Sequence, residues 1–439
     1  MRLRHADGST VHLGYCTNVH PAEDLAGILA QLDTYAVPVR ETLGADLLGL
    51  GLWLAAPVAA ELAADPGARH RLRTELAARG LEVVTLNGFP YAAFQAPVVK
   101  GAVYHPDWTT TGRLAYTLDL ARVLADLLPD DAARGSVSTL PLAWREPWDA
   151  ARADAARRRL DELAAGLAAV ERDTGRPVRV GFEPEPGCLV ESTGQAATVL
   201  SDMDTDRLGI CLDLAHLACA WEQPAAALGR LRAAGLPVVK VQVSAALEAA
   251  DPAADADALR RWVEPRFLHQ TRAAGCATAT GTRRAAPAAA GSPAGGDGTA
   301  DPADPAWSAD DLDAALDAAL PGPWRVHYHV PLHAPPEPPL ASTLPVLRAA
   351  LAALFAGPDA GCDHLDVETY TWGVLPAARR PRTDAELAAG IAAELAFARD
   401  ELVALGLAPD QPGGDGMSER RRANQVEPPA GPERREVTV

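Results

Sequence analysis

The chain has 439 residues, 48% of them hydrophobic, with a formal net charge of -18. That length buries a large core, either as one big barrel or as two ordinary domains. The acidic balance, with no strongly basic face, argues against nucleic acid as a partner.

The chain opens on MRLRHADGST, which is polar and has no apolar signal core, and no uninterrupted span of about 20 apolar residues follows. No transmembrane segment is expected. Six cysteines (Cys16, Cys188, Cys211, Cys219, Cys276 and Cys362) lack CxxC or small-domain spacing and read as reduced thiols of a cytoplasmic protein.

Nine short runs then share one grammar: VHLGYCTN (11–18), LLGLGLWL (47–54), EVVTLN (82–87), SVSTLPL (136–142), VRVGFEPE (178–185), LGICLD (208–213), VVKVQVS (238–244), RVHYHVP (325–331) and LDVET (365–369). Ala/Leu-rich segments with charges at helical spacing separate most of them, notably 113–128, 152–172, 193–203 and 384–405. Strands alternating with helices predict a parallel sheet. Eight or so such units, with no GxGxxG after the first strand, favour a (β/α)8 TIM barrel over an open sheet. The barrel is expected to span 10–406. Nine runs are one too many, so either RVHYHVP or an early run lies outside it. The loop at 88–108 is long and aromatic, follows the third strand and suits a lid. Residues 273–304 are rich in Ala, Gly, Pro and Thr and read as a flexible insertion. From 408 to 439 the chain turns polar and reads as a disordered tail.

Alternation within the strands carries the functional signal. Side chains alternate faces with period two. In RVGFE, Val180 and Phe182 oppose Arg179, Gly181 and Glu183; in GICLD, Ile210 and Leu212 oppose Cys211 and Asp213. In VKVQV the valines oppose Lys240 and Gln242, in LDVE Leu365 and Val367 oppose Asp366 and Glu368, and in RVHYH Val326 and Tyr328 oppose His327 and His329. The apolar faces suit packing on outer helices, which turns polar groups toward the axis. A merely structural barrel fills its interior with branched apolar residues. Lys240 and Asp366 suit a structural pair inside it.

Glu183, Asp213, Gln242, His329 and Glu368 therefore stand at or near strand ends, and an oxygen-rich set with a histidine suits Mn2+, Mg2+ or Zn2+. Across such a metal, Glu183 or Glu368 doubles as the base for proton transfer beside a carbonyl, and His216 orients substrate. Asn87, Gln242, His329 and Trp372 are the substrate-binding candidates. Two of these residues have a bland alternative: His216 as a cap or core residue, Trp372 as packing. Glu185, between two prolines, reads as solvent-facing, and His333 as a loop residue.

These residues resemble the xylose isomerase-like barrels, whose common pattern is Glu on the fifth strand, Asp-x-x-His on the sixth, His on the seventh and Glu on the last. Glu183 matches the first, Asp213 with His216 the second, and Glu368 the last; Gln242 stands where the histidine is usual. More closely, the chain resembles the metabolite traffic protein EboE family, through YCTNVHP (15–21), NGFPY (87–91), VYHPDW (103–108), GFEPEPGC (181–188), LDLAH (212–216), KVQVSAAL (240–247), FLHQ (267–270), HYHVPLH (327–333) and VETYTWGVLP (367–376). The resemblance implies an isomerase-like protein tied to movement of a metabolite precursor, with other proteins of an export pathway as partners. Two expectations follow. One is a divalent-metal isomerase or epimerase of a small polyhydroxylated metabolite. The other is a non-catalytic binding or trafficking protein that keeps the pocket, which Gln242 favours. A metal-assisted phosphodiesterase is a distant third, since the acidic charge disfavours DNA.

Overall fold

A computed structural model of the chain describes residues 1–274 and 307–410. Fifteen strands are seen among them. They are β1 (Arg2–Arg4), β2 (Thr10–Cys16), β3 (Leu48–Trp53), β4 (Leu81–Asn87), β5 (Gly135–Thr139), β6 (Val178–Phe182), β7 (Leu208–Asp213), β8 (Val238–Val243), β9 (Ala246–Ala249), β10 (Thr271–Ala273), β11 (Trp307–Ala309), β12 (Trp324–His329), β13 (Ala341–Ser342), β14 (His364–Val367) and β15 (Ala408–Pro409). Strands β2 to β8 and β14 are parallel neighbours in that order, and β14 pairs back onto β2. The result is a closed eight-stranded (β/α)8 barrel, as the strand count predicts.

Local chemistry starts the helices where the pattern expects them. Thr110 caps Thr111–Leu127, Asp149 caps Ala150–Thr174 and Thr383 caps Asp384–Ala404, each side chain accepting an N–H of the first turn. Each such cap is worth about 1 kcal/mol. The crossover helix expected over 193–203 is shorter, Thr193–Val199, and starts with a Ser192/Gln195 capping box. The apolar strand faces, such as Val180, Phe182, Ile210 and Val241, are fully buried against these helices.

RVHYHVP is the run outside the barrel. It forms β12, the centre of a five-stranded antiparallel sheet ordered β11-β10-β12-β9-β13 that the chain builds between β8 and β14. Its alternation reads like a barrel strand because period two is common to parallel and antiparallel strands. The expected flexible insertion begins two residues too early, since buried Ala273 still pairs with Trp307 and Trp324 in this sheet and the Ala274 N–H donates to the Pro323 carbonyl. The expected tail begins too early as well, because Ala408 and Pro409 pair with Arg4 and Leu3. The remainder of both expectations, 275–304 and 411–439, lies outside the described residues.

The axis of the barrel is polar. Lys240 Nζ lies 2.9 Å from Asp366 Oδ2, and both side chains are fully buried. Glycines make the room. A Cβ at Gly51 would sit 1.7 Å from Asp366 Oδ2, and one at Gly14 would sit 3.1 Å from Oδ1 and 2.6 Å from the Gly49 carbonyl oxygen. Gly51→Ala is therefore expected to destabilise the fold by about 1–3 kcal/mol or more, as overpacking does. Gly101→Ala, where a Cβ meets nothing within 4 Å, is expected to stay within about 0.5 kcal/mol. Denaturant unfolding of the two variants checks both; equal stabilities would mean the axis has room to spare.

Candidate active site and metal centre

The carboxyl ends of the strands gather the acids. Glu183 follows β6 directly and is anchored by its N–H on the Thr139 carbonyl at 2.9 Å. Asp213 ends β7 and caps the short helix behind it, its Oδ1 accepting from the His216 N–H at 2.9 Å and from the Ser244 hydroxyl at 2.8 Å. Glu368 follows β14, and its Oε1 accepts from Asn18 Nδ2 at 2.7 Å and Asn87 Nδ2 at 2.9 Å. His329 comes from β12 and reaches in from the side, with Nε2 3.7 Å from Asp213 Oδ2. His216 lies 3.9 Å from both Asp213 Oδ1 and Glu183 Oε1. Ligand atoms of Asp213, His329 and Glu368 lie within 4.8 Å of one another, as do those of Glu183, Asp213 and His216.

Above them opens a cavity. Its floor is polar, from Glu183, Glu185, His216, His327, His329 and Glu368. Its mouth is apolar, from Phe89, Phe94, Val99, Tyr104, Phe267 and Tyr370. The aromatic loop at 88–108 supplies four of those mouth residues, so it does cover the site.

Most of the sequence-derived residues thus meet. Asn87 lines the cavity but also holds Glu368. Gln242 pairs in register with Asp213 on β7 and with Asp366 on β14; it is fully buried, does not line the cavity, and neither amide atom has a hydrogen-bond partner among the described residues. Trp372 does not line the cavity, which agrees with its packing alternative. Its indole N–H donates to Glu394 Oε2 at 3.1 Å and its ring packs on Gly390, so it is held by the last helix and not by the cavity. Glu185 as a solvent-facing residue is corrected. It is 5% exposed, lines the cavity and accepts from the Tyr104 hydroxyl at 2.8 Å. His327, Tyr104, Tyr370 and Asn18 escaped the sequence reading as site residues. Only His327 and Asn18 left a signal there, one on the same strand face as His329 and one closing the first strand run.

Burial dominates the electrostatics. It pushes the Glu183 carboxyl well above the ordinary range, with Glu368, Asp213 and Glu185 adding repulsion. Burial also pushes Glu185 well up, against the Tyr104 hydrogen bond. Glu368 is raised by burial, and further by Asp213, to about 7, with His329, Lys240 and Asn18 pulling back. Asp213 goes the other way. Burial works against its ionisation, but the His216 and His329 rings, the His216 N–H and the Ser244 hydroxyl outweigh it and hold its pKa below the ordinary value. Burial lowers His216 to about 4 and His327 well below the ordinary histidine value.

Fit to a divalent cation follows from what these groups lack. Glu183 Oε2, Asp213 Oδ2, Gln242 Oε1 and His329 Nε2 are buried and have no hydrogen-bond partner among the described residues. Buried polar atoms are normally paired. Acid oxygens, one amide oxygen and one imidazole nitrogen are the donors that Mg2+, Mn2+ or Zn2+ take.

Comparison with known proteins gives a family. Over residues 41–264 the chain matches the family described as xylose isomerase-like TIM barrel. No curated protein matches it. Among solved structures, L-ribulose 3-epimerase is 13% identical, covering 95% of this chain and 100% of its own, with a TM-score of 0.45. The IOLI protein with a binding zinc atom is 11% identical, covering 90% and 99%, with a TM-score of 0.42. A xylose isomerase-like TIM barrel protein from Mycobacterium smegmatis in complex with magnesium is 19% identical, covering 57% and 79%, with a TM-score of 0.38.

The raised acids predict an inverted pH dependence for the metal-free fold. Glu368 titrates at about 7 in the folded chain against an ordinary value of 4.5. A folded-state pKa above the unfolded one means that the fold prefers the protonated form. Its contribution is therefore greatest below about pH 4.5 and declines as pH rises to about 7, by up to about 3 kcal/mol. Chelator-treated protein is expected to lose stability over that window, and Glu368→Gln to lose less; Glu183, Glu185 and Glu394 shift the same way, so the difference between the two curves isolates Glu368. Denaturant unfolding across pH measures it. Parallel curves would show that Glu368 ionises in the fold over its ordinary pH range.

Proposed function

The chain belongs to the xylose isomerase-like TIM barrels, and from that premise we propose that it is a divalent-metal isomerase or epimerase. Its substrate in this reading is a small polyhydroxylated metabolite or a secondary-metabolite precursor. One observation carries it: buried acid oxygens of Glu183 and Asp213 and the Nε2 of His329 lack partners among the described residues at the carboxyl end of one barrel. Carboxylates gathered in a cavity repel one another and are costly to desolvate, so they need a cation or shared protons. Glu183, Asp213 and Glu368 would be the anionic ligands, with Gln242 or His329 as the neutral fourth. When bound, a divalent cation polarises a substrate carbonyl and shares the charge of the enediolate.

The chain's own groups supply the proton chemistry. Glu368, near pH 7, is poised to take a proton from the carbon beside the carbonyl, since the best catalytic pKa lies near the working pH. Asn18 and Asn87 fix which of its oxygens faces the cavity. Burial raises the pKa of Glu183, the second acid group available to return a proton. His216 orients a substrate hydroxyl, and the aromatic mouth excludes water while the intermediate is exposed.

The presence of Gln242 where the family usually has histidine, buried and with no partner for its amide among the described residues, favours a second reading. There the barrel only binds its metabolite, in the cytoplasm, and hands it to proteins of an export pathway, as the EboE-like motifs imply.

Metal analysis and solvent exchange separate the two readings. In heavy water the metal-loaded enzyme is expected to incorporate deuterium beside the carbonyl of at least one ketose or keto-polyol in a panel. Glu368→Gln is expected to slow that exchange by about 10²–10⁴-fold, and Asp213→Asn to lose the metal. A stably bound metabolite with no exchange in any substrate would leave the carrier reading standing and sink the enzyme.

A further inference from the structure

Glu185 is the cavity acid left without a role in the proton chemistry. It stands between Pro184 and Pro186 and is 5% exposed. A residue before proline is held to extended backbone, and the Glu185 N–H donates to the Val190 carbonyl at 3.1 Å. Its Oε1 accepts from the Tyr104 hydroxyl at 2.8 Å, and that hydroxyl accepts from Gln270 Nε2 at 2.8 Å. Oε2 is buried and has no hydrogen-bond partner among the described residues. The carboxyl is thus fixed by one oxygen and leaves the other for something in the cavity it lines.

A metal does not account for that oxygen. Among the described residues, Glu185 joins none of the groups whose ligand atoms converge. No side-chain cation accounts for it either. Lys100 is the one lysine or arginine lining the cavity among the described residues, and its ammonium is bound to Asp311. His327 Nδ1 stands 3.8 Å from Glu185 Oε1, but it is engaged by Gln270 Oε1 at 2.7 Å, and burial lowers the pKa of that ring. The cavity therefore has acids to spare. A dication offsets two of the charges of Glu183, Asp213 and Glu368, and Glu185 adds to the remainder. A phosphate or carboxylate on the metabolite would meet repulsion beside Glu185 and no free cation. A hydroxyl satisfies Oε2 and leaves the charge, whereas a protonated amine satisfies both.

We infer that Glu185 is a specificity-determining residue that takes a primary amine of the substrate, so that the metabolite of this cavity is an amino-polyol. The amine donates to Oε2 while Tyr104 holds Oε1 from behind. Amine and carboxyl share one proton and are neutral as a pair whichever of them holds it, so the pairing does not depend on the titration of Glu185 by itself. The mouth suits a cation as well. Phe89, Tyr104 and Tyr370 line the same cavity, and aromatic faces attract an ammonium. This inference rests on the reading that the cavity takes a polyhydroxylated metabolite. It needs no turnover, so it stands or falls by binding whether or not the chain proves to be an enzyme.

Calorimetric titration of the full-length protein at neutral pH in the presence of Mn2+ tests it, with glucamine, N-acetylglucamine and glucitol as probes. The three share one polyol chain and differ at one end, in a charged amine, an uncharged amide and a hydroxyl. The wild type is expected to bind glucamine at least about tenfold tighter than glucitol, the worth of one hydrogen bond to a charged group. N-acetylglucamine is expected to lose that gain. Glu185→Gln keeps the shape and the acceptor for Tyr104, and is expected to bring glucamine and glucitol to about equal affinity. The comparison of probes on the wild type needs no variant to fold. Glucitol bound as tightly as glucamine overturns the amine and leaves the polyol reading standing. No binding of any probe overturns both. A preference for glucamine that persists in Glu185→Gln overturns the assignment to this residue.

Discussion

Everything at the open end of this barrel rests on the Lys240–Asp366 ion pair. It fills the axis at 2.9 Å with both side chains fully buried, where related architectures put layers of branched apolar residues. A buried pair is a weak source of net stability, but removing one partner strands a charge and costs about 3–5 kcal/mol. The neighbouring strands conform to it. Gly51 has no space for a Cβ beside Asp366, and Gly14 has little. Asp366 outweighs the burial of Lys240 and keeps its ammonium charged. That charge acts on Glu183 and Glu368 one layer above, pulling both back toward ionisation. The pair is thus both the packing of the barrel floor and the first counter-charge of the site.

Above that floor, two structural sources meet. The parallel strands deliver acids because a strand end fixes both the height and the direction of its last side chain. The antiparallel sheet between β8 and β14 delivers histidines from the side. Its junction is the pairing of Ala246 with His329, and His329 is tied to the barrel again through the Glu368 carbonyl. Arg272 extends the tie, forming an ion pair with Glu191 beyond β6. The excursion is therefore pinned to the barrel rim on more than one side, which gives its imidazoles a fixed position over the acids.

This division also explains what could be read in the residues. The acids were legible. Glu183, Asp213 and Glu368 each close a run whose apolar alternation puts them on the opposite face from the core. The extra run was legible as a problem but not as a solution, because RVHYHVP alternates as a barrel strand does. Only hydrogen-bond partners, which are non-local, distinguish an antiparallel strand from a parallel one. Trp372 follows its packing alternative, for a reason of the same kind. It stands four residues beyond a catalytic-looking acid, but the short helical turn at Tyr370–Val374 carries it toward Glu394 on the last helix. Glu185 and Tyr104 were missed because their relation is a contact between a strand end and a loop 81 residues away. No periodicity encodes that.

The charge balance of the cavity has a consequence for its metal chemistry. Glu183, Glu185, Asp213 and Glu368 are all buried around it, and the nearest buried cation, Lys240, is already paired with Asp366. Burial raises three of the four acids, Glu183, Glu185 and Glu368, and only Asp213 stays low. A dication held by Glu183, Asp213 and Glu368 therefore competes with protons on the two glutamates, and its affinity climbs with pH. The imidazoles differ. Burial lowers the pKa of both His216 and His327, so neither adds a positive charge beside the acids to offset that competition.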